Sequence, residues 1–434
     1  MNPQLGTSSG LQPPVLLAMP GYHGTLAAVR SLGRAGIPIT AADPERLAIG
    51  KWSKYTTTRV RCPKVRDSDR FIAWLLEFSR GRPRHVLLPT SDDTAWLYAQ
   101  HRDELSQHFY VAAPHVSVLH RLLNKRLLAE NAASVGLLTP RTFFPTSLED
   151  IPSIAREAKF PVLVKPTTQV MYGPRTKGFF VEHARDLQPV YARLSREPYG
   201  KALREFDPSA LFPMVQEFHA AAAARGVYSI AGYAREQRIV ASRAARKVLQ
   251  WPRRLGIGVC FEEAPLLPEL QSGLQRLLER VGFSGTFEVE FLEDEGGHSL
   301  IDFNPRIYNQ MGFEVSRGLP LPVLAYRDAI GEAPTEGLEE LLVENQDPTR
   351  PKRIYLHSAA FQLMLRAQRA TGVIGSEELS RWQEWYRAHE SGRVDAALDP
   401  ADVVPGCLDV AAIVRECARH PIRFLQVIAR NRSA

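Results

Sequence analysis

The chain has 434 residues, of which 44% are hydrophobic and 23% are charged, an ordinary composition for a globular protein. At roughly 150 residues per domain, this length predicts about three domains. No repeat with a period of roughly 20–50 residues indicates a solenoid or a propeller. The net charge of +7 is modest and suits an anionic small molecule, such as a nucleotide, at least as well as nucleic acid.

The cysteines and the N-terminus bear on the compartment. Cys62, Cys260, Cys407 and Cys417 form no CxxC pair, which indicates free thiols in a reducing compartment rather than a disulfide framework or a zinc site. The first residues lack a basic region, and the run VLLAM is too short for a signal peptide or a membrane span. We therefore expect a cytoplasmic protein with no membrane span and no nucleic-acid partner.

Residues 14–120 have the pattern of a Rossmann-like domain. The apolar run VLLAM predicts a buried strand, and it is followed by Gly21 and Gly24, by apolar residues at helical spacing and by a second strand, IPITAAD. The pattern recurs in HVLLPTSDDTAWLYAQHRDEL, where Ser91 or Asp92 is suited to begin the helix as its N-cap. Repeated strand–helix–strand units predict a parallel sheet with helices on its faces.

The pattern changes after a helical stretch that ends near Gly136. From residue 160 to about residue 330, strands with few helices between them predict an α+β region with an antiparallel sheet. The predicted strands are FPVLVKP, GFFVE, MVQEFH, VYSIAGYA, RIVASRA, GTFEVEFL and HSLIDFNPR. Residues 333–434 are predicted to be mainly helical, and their last, basic and amphipathic segment is expected to pack on the preceding domain.

Acidic and amide side chains alternate along the stretch GTFEVEFLEDEGGHSLIDFNPR. Glu288 and Glu290 share one face of the first strand, and Asp302 and Asn304 share one face of the second. If these strands pair, up to three carboxylates and an amide oxygen meet, and such hard oxygen ligands suit Mg²⁺. The alternative is a solvated strand face followed by a turn.

Cations accompany this acidic set. Arg306 follows Asn304 on the same side if the strand continues, where it could neutralise the charge of a transferring phosphoryl group. Lys165 ends the run FPVLVKP, from which its ammonium group could reach phosphate oxygens, although an edge lysine that extends to solvent has the same pattern. Gln216 and Glu217 end another strand, whose backbone could meet an adenine edge.

Five features follow the Rossmann-like domain in chain order: Lys125, VLVKP, VQEF, FEVEF and IDFNPR. Through these features the chain resembles the ATP-grasp superfamily, more narrowly its carboxylate–amine ligases. The resemblance covers roughly residues 15–332. It implies a fold of three regions in chain order, namely a Rossmann-like domain (14–120), an ATP-grasp domain (121–332) with ATP between subdomains 140–213 and 214–332, and a helical C-terminal region (333–434).

The resemblance also implies the roles of individual side chains. ATP would be contacted by residues of both subdomains and the preceding helix: Lys125, Lys165, Lys177, Gln216, Glu217 and Phe218. One or two Mg²⁺ ions, or Mn²⁺ in their place, would be held by oxygen ligands: Glu290, Asp302 and Asn304, with Glu288 as the alternative to Glu290. Arg306 would stabilise an acyl phosphate, and two cations of the strand ASRAARK, Arg243 and Lys247, would add contacts to phosphate or substrate.

Two features depart from the family pattern. Asp302 stands where the family more often has glutamate, so its oxygen is shifted by about one methylene group. The loop expected to cover the phosphates, TTQVMYGPRTKG, contains only two glycines, Gly173 and Gly178.

The implied activity is amide formation from a small-molecule carboxylate and an amine, such as amino acids or peptides, through an acyl phosphate, with release of ADP and phosphate. Two alternatives on the same fold are a phosphotransferase and a non-catalytic nucleotide-binding protein. A dinucleotide-dependent oxidoreductase is disfavoured because GYHG is not a GxGxxG motif. The helical region could form a homodimer surface or a lid.

Overall fold

The computed structural model describes residues 12–173, 178–197, 199–219, 225–251, 257–294, 296–333 and 352–420. Three sheets of five, seven and four strands form its framework. The candidate site lies where the five-stranded sheet and the seven-stranded sheet meet.

The first sheet is parallel throughout and has the order β3-β2-β1-β4-β5. Its strands are β1 (Val15–Ala18), β2 (Ile39–Ala42), β3 (Thr58–Val60), β4 (Val86–Leu87) and β5 (Tyr110–Val111). The helices of this part of the chain are α1 (His23–Arg34), α2 (Ser68–Ser79), α3 (Asp92–Gln100) and α4 (Arg102–Leu105). This arrangement confirms the predicted parallel sheet.

Both faces of the first sheet are covered because its central strand is apolar at every position. Val15 and Leu17 pack in one cluster with residues of α1, whereas Leu16 and Ala18 pack in another with residues of α2 and α3. Successive side chains of a strand point to opposite faces, so a continuous apolar run is buried on both sides.

The four-stranded sheet is antiparallel, with the order β6-β9-β7-β8. Its strands are β6 (Thr142–Phe143), β7 (Val162–Lys165), β8 (Phe179–Val181) and β9 (Met214–Glu217). Helices precede it and lie between its strands: α5 (Val116–Leu123), α6 (Lys125–Ser134), α7 (Ile151–Glu157), α8 (Leu187–Leu194) and α9 (Lys201–Phe206).

The seven-stranded sheet has the order β14-β13-β10-β11-β12-β15-β16. Its first five strands in the chain are antiparallel: β10 (Val227–Arg235), β11 (Arg238–Trp251), β12 (Ile257–Ala264), β13 (Gly285–Asp294) and β14 (Gly297–Asn304). Helices α10 (Pro268–Val281), α11 (Met311–Ser316) and α12 (Leu321–Ala329) accompany them. Strand β12 is not among the predicted strands, since two consecutive acids interrupt its apolar pattern.

The C-terminal region is less purely helical than predicted. It contains helices α13 (Ser358–Ala370), α14 (Ser376–Ala388) and α15 (Val403–Arg419), but it also adds β15 (Ile354–Leu356) and β16 (Arg393–Asp395) to the seven-stranded sheet. Strands of three residues are too short to show a period, which is why the sequence pattern does not reveal them. The domain boundary at residue 333 stays a prediction.

Residues 396–409, here called the C-terminal strap, return to the first sheet's domain. Arg30 of α1 donates from Nε to Oδ2 of Asp402 at 2.9 Å and from Nη2 to the carbonyl oxygen of Ala397 at 2.8 Å. Ser53 and the backbone N–H of Lys54 also donate to the Asp402 carboxylate. Burial alone would raise the pKa of Asp402, but these hydrogen bonds outweigh it and hold that pKa below its usual value.

A second contact of the strap joins three parts of the chain. The Asp409 carboxylate lies between two imidazoles, 3.1 Å from Nε2 of His23 and 2.5 Å from Nε2 of His357. Because Nδ1 of His357 accepts the backbone N–H of Ala360, its proton is on Nε2 and is donated to Asp409. The strap therefore fastens α1, α13 and α15 together. Among the described residues, no helix is long and apolar enough to cross a membrane.

Candidate active site

A polar cavity of about 120 Å³ lies between the seven-stranded sheet and the carboxyl end of the first sheet. Several parts of the chain contribute its charged lining: α3, α6, β11, β13, β14 and the loop after β14. The charged residues are Asp92, Lys125, Lys247, Glu288, Glu290, Asp302 and Arg306. Half of the predicted site residues therefore meet at one place, namely Lys125, Lys247, Glu290, Asp302, Asn304 and Arg306.

Strand register places four of these side chains on a common surface. In the β13–β14 pair, Glu290 is opposite Asp302 and Glu288 is opposite Asn304. Residues directly opposite in an antiparallel pair have Cβ atoms about 4.5–5.5 Å apart on the same face. These four residues are called the acidic face, and the structure brings them together as the sequence pattern predicts.

The neighbouring strand leaves room above the acidic face. Ser229 and Ala231 of β10 are opposite Glu290 and Glu288, and both side chains are small. A larger residue at either position would fill the space over the carboxylates. Small residues on β10 therefore lie beside the acids of β13 on the same face of the sheet.

Two lysines neutralise two carboxylates of the acidic face. Lys247, 7% exposed, donates to Oε1 of Glu290 at 2.9 Å, and Lys125 donates directly to Oδ1 of Asp302. Burial alone would lower the pKa of Lys247, but the charge and hydrogen bond of Glu290 outweigh it and raise that pKa. Lys247 is thus held as a cation, and both lysines lie where phosphate oxygens could replace the carboxylates.

Glu288 is bonded within the protein. It is 1% exposed, its Oε2 accepts from Nδ2 of Asn304 at 2.6 Å, and its Oε1 accepts from Nε2 of Gln310 at 2.9 Å. Burial and the neighbouring charge of Glu290 raise the pKa of Glu288 to about 8. Glu290 is 19% exposed, so the geometry favours Glu290 over Glu288 as a metal ligand.

Arg306 is held on three sides. It donates from Nε to Oδ1 of Asp92 at 2.9 Å, from Nη2 to Oδ1 of Asn304 at 2.8 Å, and from Nη1 to the carbonyl oxygen of Ile307 at 3.3 Å. Its guanidinium group therefore has one orientation at the edge of the acidic face. Such a fixed cation can stabilise negative charge that develops beside it.

The sequence favours helix capping for Asp92 and leaves contact with a substrate amine as the alternative, and the structure places Asp92 in the cavity lining. In the structure Ser91 is the N-cap of α3, and its side chain accepts the backbone N–H of Thr94 at 3.1 Å. Asp92 is thereby free to pair with Arg306, which lies 214 residues later. Only the packing of the two sheets brings them together, so no local signal could have identified the pair.

The predicted nucleotide side is formed in part. Lys165 donates to Oε1 of Gln216 at 3.0 Å, and Gln216 donates to Oγ1 of Thr142 at 3.1 Å. A small groove lined by Lys125, Gln216 and apolar residues lies beside them. Since Lys125 also lines the polar cavity, it connects the groove to the acidic face.

Glu217 and the backbone of Phe218 are predicted to contact the adenine of ATP, but their polar groups are bonded away from Gln216 and Lys165. Glu217 follows Gln216 on β9, so its side chain points to the opposite face, where its carboxylate accepts the backbone N–H of Lys159 at 2.9 Å. The backbone N–H of Phe218 donates to the carbonyl oxygen of Pro161 at 3.0 Å. Neither the Glu217 carboxylate nor the Phe218 N–H is directed into the groove, and a nucleotide role for either stays a prediction.

Two further predicted residues lie elsewhere. Lys177 is outside the described residues. Arg243 is on β11 opposite Ala231, on the same side of the sheet as the acidic face, but it does not line the polar cavity. Its charge acts instead on the buried Glu314, whose pKa is raised by burial and lowered in smaller part by Arg317 and Arg243. The predicted contact of Arg243 with phosphate or substrate stays a prediction.

The predicted phosphate loop is described as far as Gly173, and the first sheet's domain holds it there. Oδ1 of Asp93, the residue after Asp92, accepts the backbone N–H of Met171 at 2.7 Å, and Arg66 donates to the carbonyl oxygen of Gly173 at 3.1 Å. The first turn of α3 therefore contacts both Arg306 and this loop.

Comparison with known proteins gave relatives in sequence and in structure. No family model matches the chain. The D-aspartate ligase of Enterococcus faecium (strain Aus0004) is 23% identical over 337 residues, which are 73% of this chain and 77% of the ligase.

Two solved structures have a similar fold. The biotin carboxylase domain of 2-oxoglutarate carboxylase from Hydrogenobacter thermophilus, a dimer in complex with MgADP and bicarbonate, has a TM-score of 0.58 at 17% identity, over 75% of this chain and 71% of its own. The L-amino acid ligase from Bacillus licheniformis has a TM-score of 0.57 at 13% identity, over 80% of this chain and 79% of the ligase. At such low identity these likenesses identify the fold.

Proposed function

We propose that this chain, which has the ATP-grasp fold and is of the carboxylate–amine ligase type, joins a small-molecule carboxylate to an amine with hydrolysis of ATP to ADP and phosphate. The observation that carries the proposal is the acidic face with Lys125 and Lys247 bonded to its carboxylates and Arg306 beside it. The D-aspartate ligase relative and the L-amino acid ligase structure support the same class of reaction.

The donor set fits Mg²⁺. Two carboxylates, Glu290 and Asp302, and the amide of Asn304 share one face, and Mg²⁺ prefers one or two carboxylates together with waters and phosphate oxygens. These three residues would hold the ion, which would neutralise phosphate oxygens when bound. The similar biotin carboxylase domain contains MgADP, which supports ATP and Mg²⁺ as the cofactors here.

The chemistry has two displacements. An oxygen of the substrate carboxylate attacks the γ-phosphorus of ATP and ADP leaves, which forms an acyl phosphate. The nitrogen of a neutral amine then attacks the carbonyl carbon, phosphate leaves, and the nitrogen loses a proton. In each step negative charge moves between oxygens, and the fixed cations Lys125, Lys247 and Arg306 lie where they can stabilise it. The small cavity also limits access of water to the acyl phosphate.

Trapping of the acyl phosphate tests this proposal. We expect the purified chain with MgATP, hydroxylamine and a panel of carboxylic acids to produce ADP and a hydroxamate in equal amounts, since hydroxylamine replaces the natural amine as nucleophile. A phosphotransferase would instead accumulate a stable phosphorylated product in an amine-independent way. Binding of ATP without turnover of any acid would favour the non-catalytic alternative.

The choice between the two glutamates is testable through Mg²⁺. We expect Glu290→Gln to raise the Mg²⁺ concentration for half-maximal ADP formation by about 10-fold or more, because it removes a charged ligand. Glu288→Gln should change that concentration much less, since Glu288 is 1% exposed and both of its oxygens are already bonded to Asn304 and Gln310. The reverse order in a Mg²⁺ titration would reassign the ligand to Glu288.

Three further features belong to the same proposal: the kind of substrate, the oligomeric state and the location. Amino acids or peptides are proposed as substrates because the relatives are named for amino acids. A homodimer is proposed because the similar biotin carboxylase domain is a dimer. A cytoplasmic location is proposed from the free cysteines and from the cofactor, ATP.

A further inference from the structure

The topology of the first sheet marks a place where a ligand is expected. The chain passes from β1 to β2 and β3 on one side and then crosses to β4 and β5 on the other, so the direction of winding changes between β1 and β4. In open parallel sheets, ligands bind outside the carboxyl ends of the strands at such a point. Thr90, just after β4, donates to the carbonyl oxygen of Ala18 at the end of β1 and fixes the two ends together at 2.8 Å.

Asp92 lies two residues beyond Thr90 at this point. Its side chain is 20% exposed and lines the polar cavity. Oδ1 accepts from Arg306, whereas Oδ2 accepts no hydrogen bond from any residue that the structure describes. An uncommitted carboxylate oxygen that faces a small cavity requires a donor, from water or from a ligand.

The other carboxylates of the cavity differ from Asp92 in this respect. Glu288 has both oxygens bonded, and Glu290 and Asp302 are paired with lysines and assigned to the metal. Asp92 is also not needed as the helix cap, which Ser91 provides. Asp92 is thus the acid of the cavity that neither the proposed metal site nor the local fold explains.

We propose that Asp92 determines specificity by binding the ammonium group of an α-amino acid substrate while Arg306 faces the carboxylate that ATP activates. This inference rests on the proposed ligase function. The ammonium and carboxylate groups of an α-amino acid are one carbon apart, which matches a carboxylate and a guanidinium group joined by a 2.9 Å hydrogen bond. The Asp92–Arg306 pair and the amino acid zwitterion are each neutral overall, so the bound substrate adds no net charge to the cavity.

Discrimination follows from the same geometry. An acid of the same shape without the ammonium group would offer Oδ2 of Asp92 no donor. A site built to hydrogen-bond a polar substrate group rejects the analogue that lacks it far more strongly than an apolar pocket does. We therefore expect the enzyme to prefer an amino acid over its des-amino analogue by about 100-fold or more in kcat/KM.

The rival role for Asp92 is to position Arg306 alone. Loss of a positioning residue would lower turnover of every acid to the same extent, because Arg306 would then be misplaced for all of them. Loss of an ammonium receptor would lower turnover of acids that carry an ammonium group more than turnover of their des-amino analogues. The ratio of turnover of an amino acid to turnover of its des-amino analogue therefore separates the two roles of Asp92.

The experiment measures hydroxamate formation with paired acids: alanine and propionate, aspartate and succinate, glutamate and glutarate, phenylalanine and 3-phenylpropionate. It compares the wild-type chain with Asp92→Asn and Asp92→Ser. The matched control is Asp67→Asn, which removes an exposed carboxylate paired with Arg70 on α2. The unfolding midpoint of each variant is measured as well, because the Asp92 variants remove the ion pair with Arg306 although the Ser91 cap of α3 is retained.

For the best amino acid, we expect both Asp92 variants to reduce the preference over its des-amino analogue by at least about 10-fold, in addition to any loss that the freed Arg306 side chain imposes equally on both acids. Equal losses for both members of each pair would assign Asp92 to positioning and overturn the inference. Wild-type turnover without any preference for amino acids would overturn it as well, although the ligase function would stand. A wild-type chain that forms no hydroxamate with any acid would overturn the ligase proposal, and the inference with it.

Discussion

Replacement of Asp302 by asparagine is expected to reduce Mg²⁺-dependent ADP formation by about 10³-fold while the fold is retained. Asp302 is opposite Glu290 on the acidic face and bonds Lys125, so the change removes a metal ligand and leaves a lysine without its carboxylate. A 10³-fold loss corresponds to about 4 kcal/mol of transition-state stabilisation, within the range of a single electrostatic contact in an active site. Steady-state ADP release at saturating ATP measures it.

The matched control for Asp302 is on the same hairpin. Asp294 ends β13, where its carboxylate accepts the backbone N–H of Gly296, and it does not line the cavity. Asp294→Asn should therefore change ADP formation by less than about twofold, since its partly buried carboxylate contacts Gly296 and His219 rather than the cavity. Full activity of the Asp302 variant at the wild-type Mg²⁺ concentration would contradict the metal-site assignment.

Loss of the buried ion pair between α1 and the C-terminal strap should be the largest effect on stability. Arg30→Met is expected to lower the free energy of unfolding by about 3–5 kcal/mol, because Asp402, 3% exposed, would keep a buried charge without its cation. The double variant Arg30→Met with Asp402→Leu should recover part of this loss, since it removes both charges. Urea unfolding followed by tryptophan fluorescence measures the free energy of unfolding of the wild-type chain and of both variants.

A neighbouring ion pair provides the control. Arg34 is on the same helix and pairs with Asp399, but it is 40% exposed. Arg34→Met should cost about 1 kcal/mol or less, as exposed ion pairs usually do. Equal losses from Arg30 and Arg34 would show that the strap contributes through its general packing rather than through the buried pair.

The Asp402 carboxylate also predicts a pH dependence. Its pKa is lower in the folded protein than the ordinary value of 3.8. Its contribution to stability is therefore complete above about pH 4 and is lost as the pH falls through the folded pKa. The wild-type chain should lose stability more steeply below pH 4 than an Asp402→Asn chain in acid unfolding.

The acidic face could be predicted from the sequence because it depends on a local rule. Side chains alternate along a strand, and a Gly-containing connection joins β13 directly to β14, so Glu290 and Asp302 had to share a face once the strands paired. The same rule could have shown that Glu217 points away from Gln216. The resemblance assigns both Gln216 and Glu217 to the nucleotide, but the Glu217 carboxylate lies on the other face of the strand.

The remaining features depend on contacts between distant parts of the chain. Asp92 meets Arg306 through the packing of two sheets, and Arg30 meets Asp402 across 372 residues. The strands β15 and β16 are three residues each and become strands only because the edge of the larger sheet accepts them. Such features follow from the assembled tertiary structure, and no window of the sequence contains them.

The strap has a consequence for the synthesis of the protein. A ribosome adds about 5–20 residues per second, so a contact that spans 372 residues waits roughly 20–75 s for its second partner. Throughout that time the face of α1 that carries Arg30 is open to solvent and to chaperones. The domain that leaves the ribosome first is therefore among the last to be completed, and its maturation depends on translation having reached the strap.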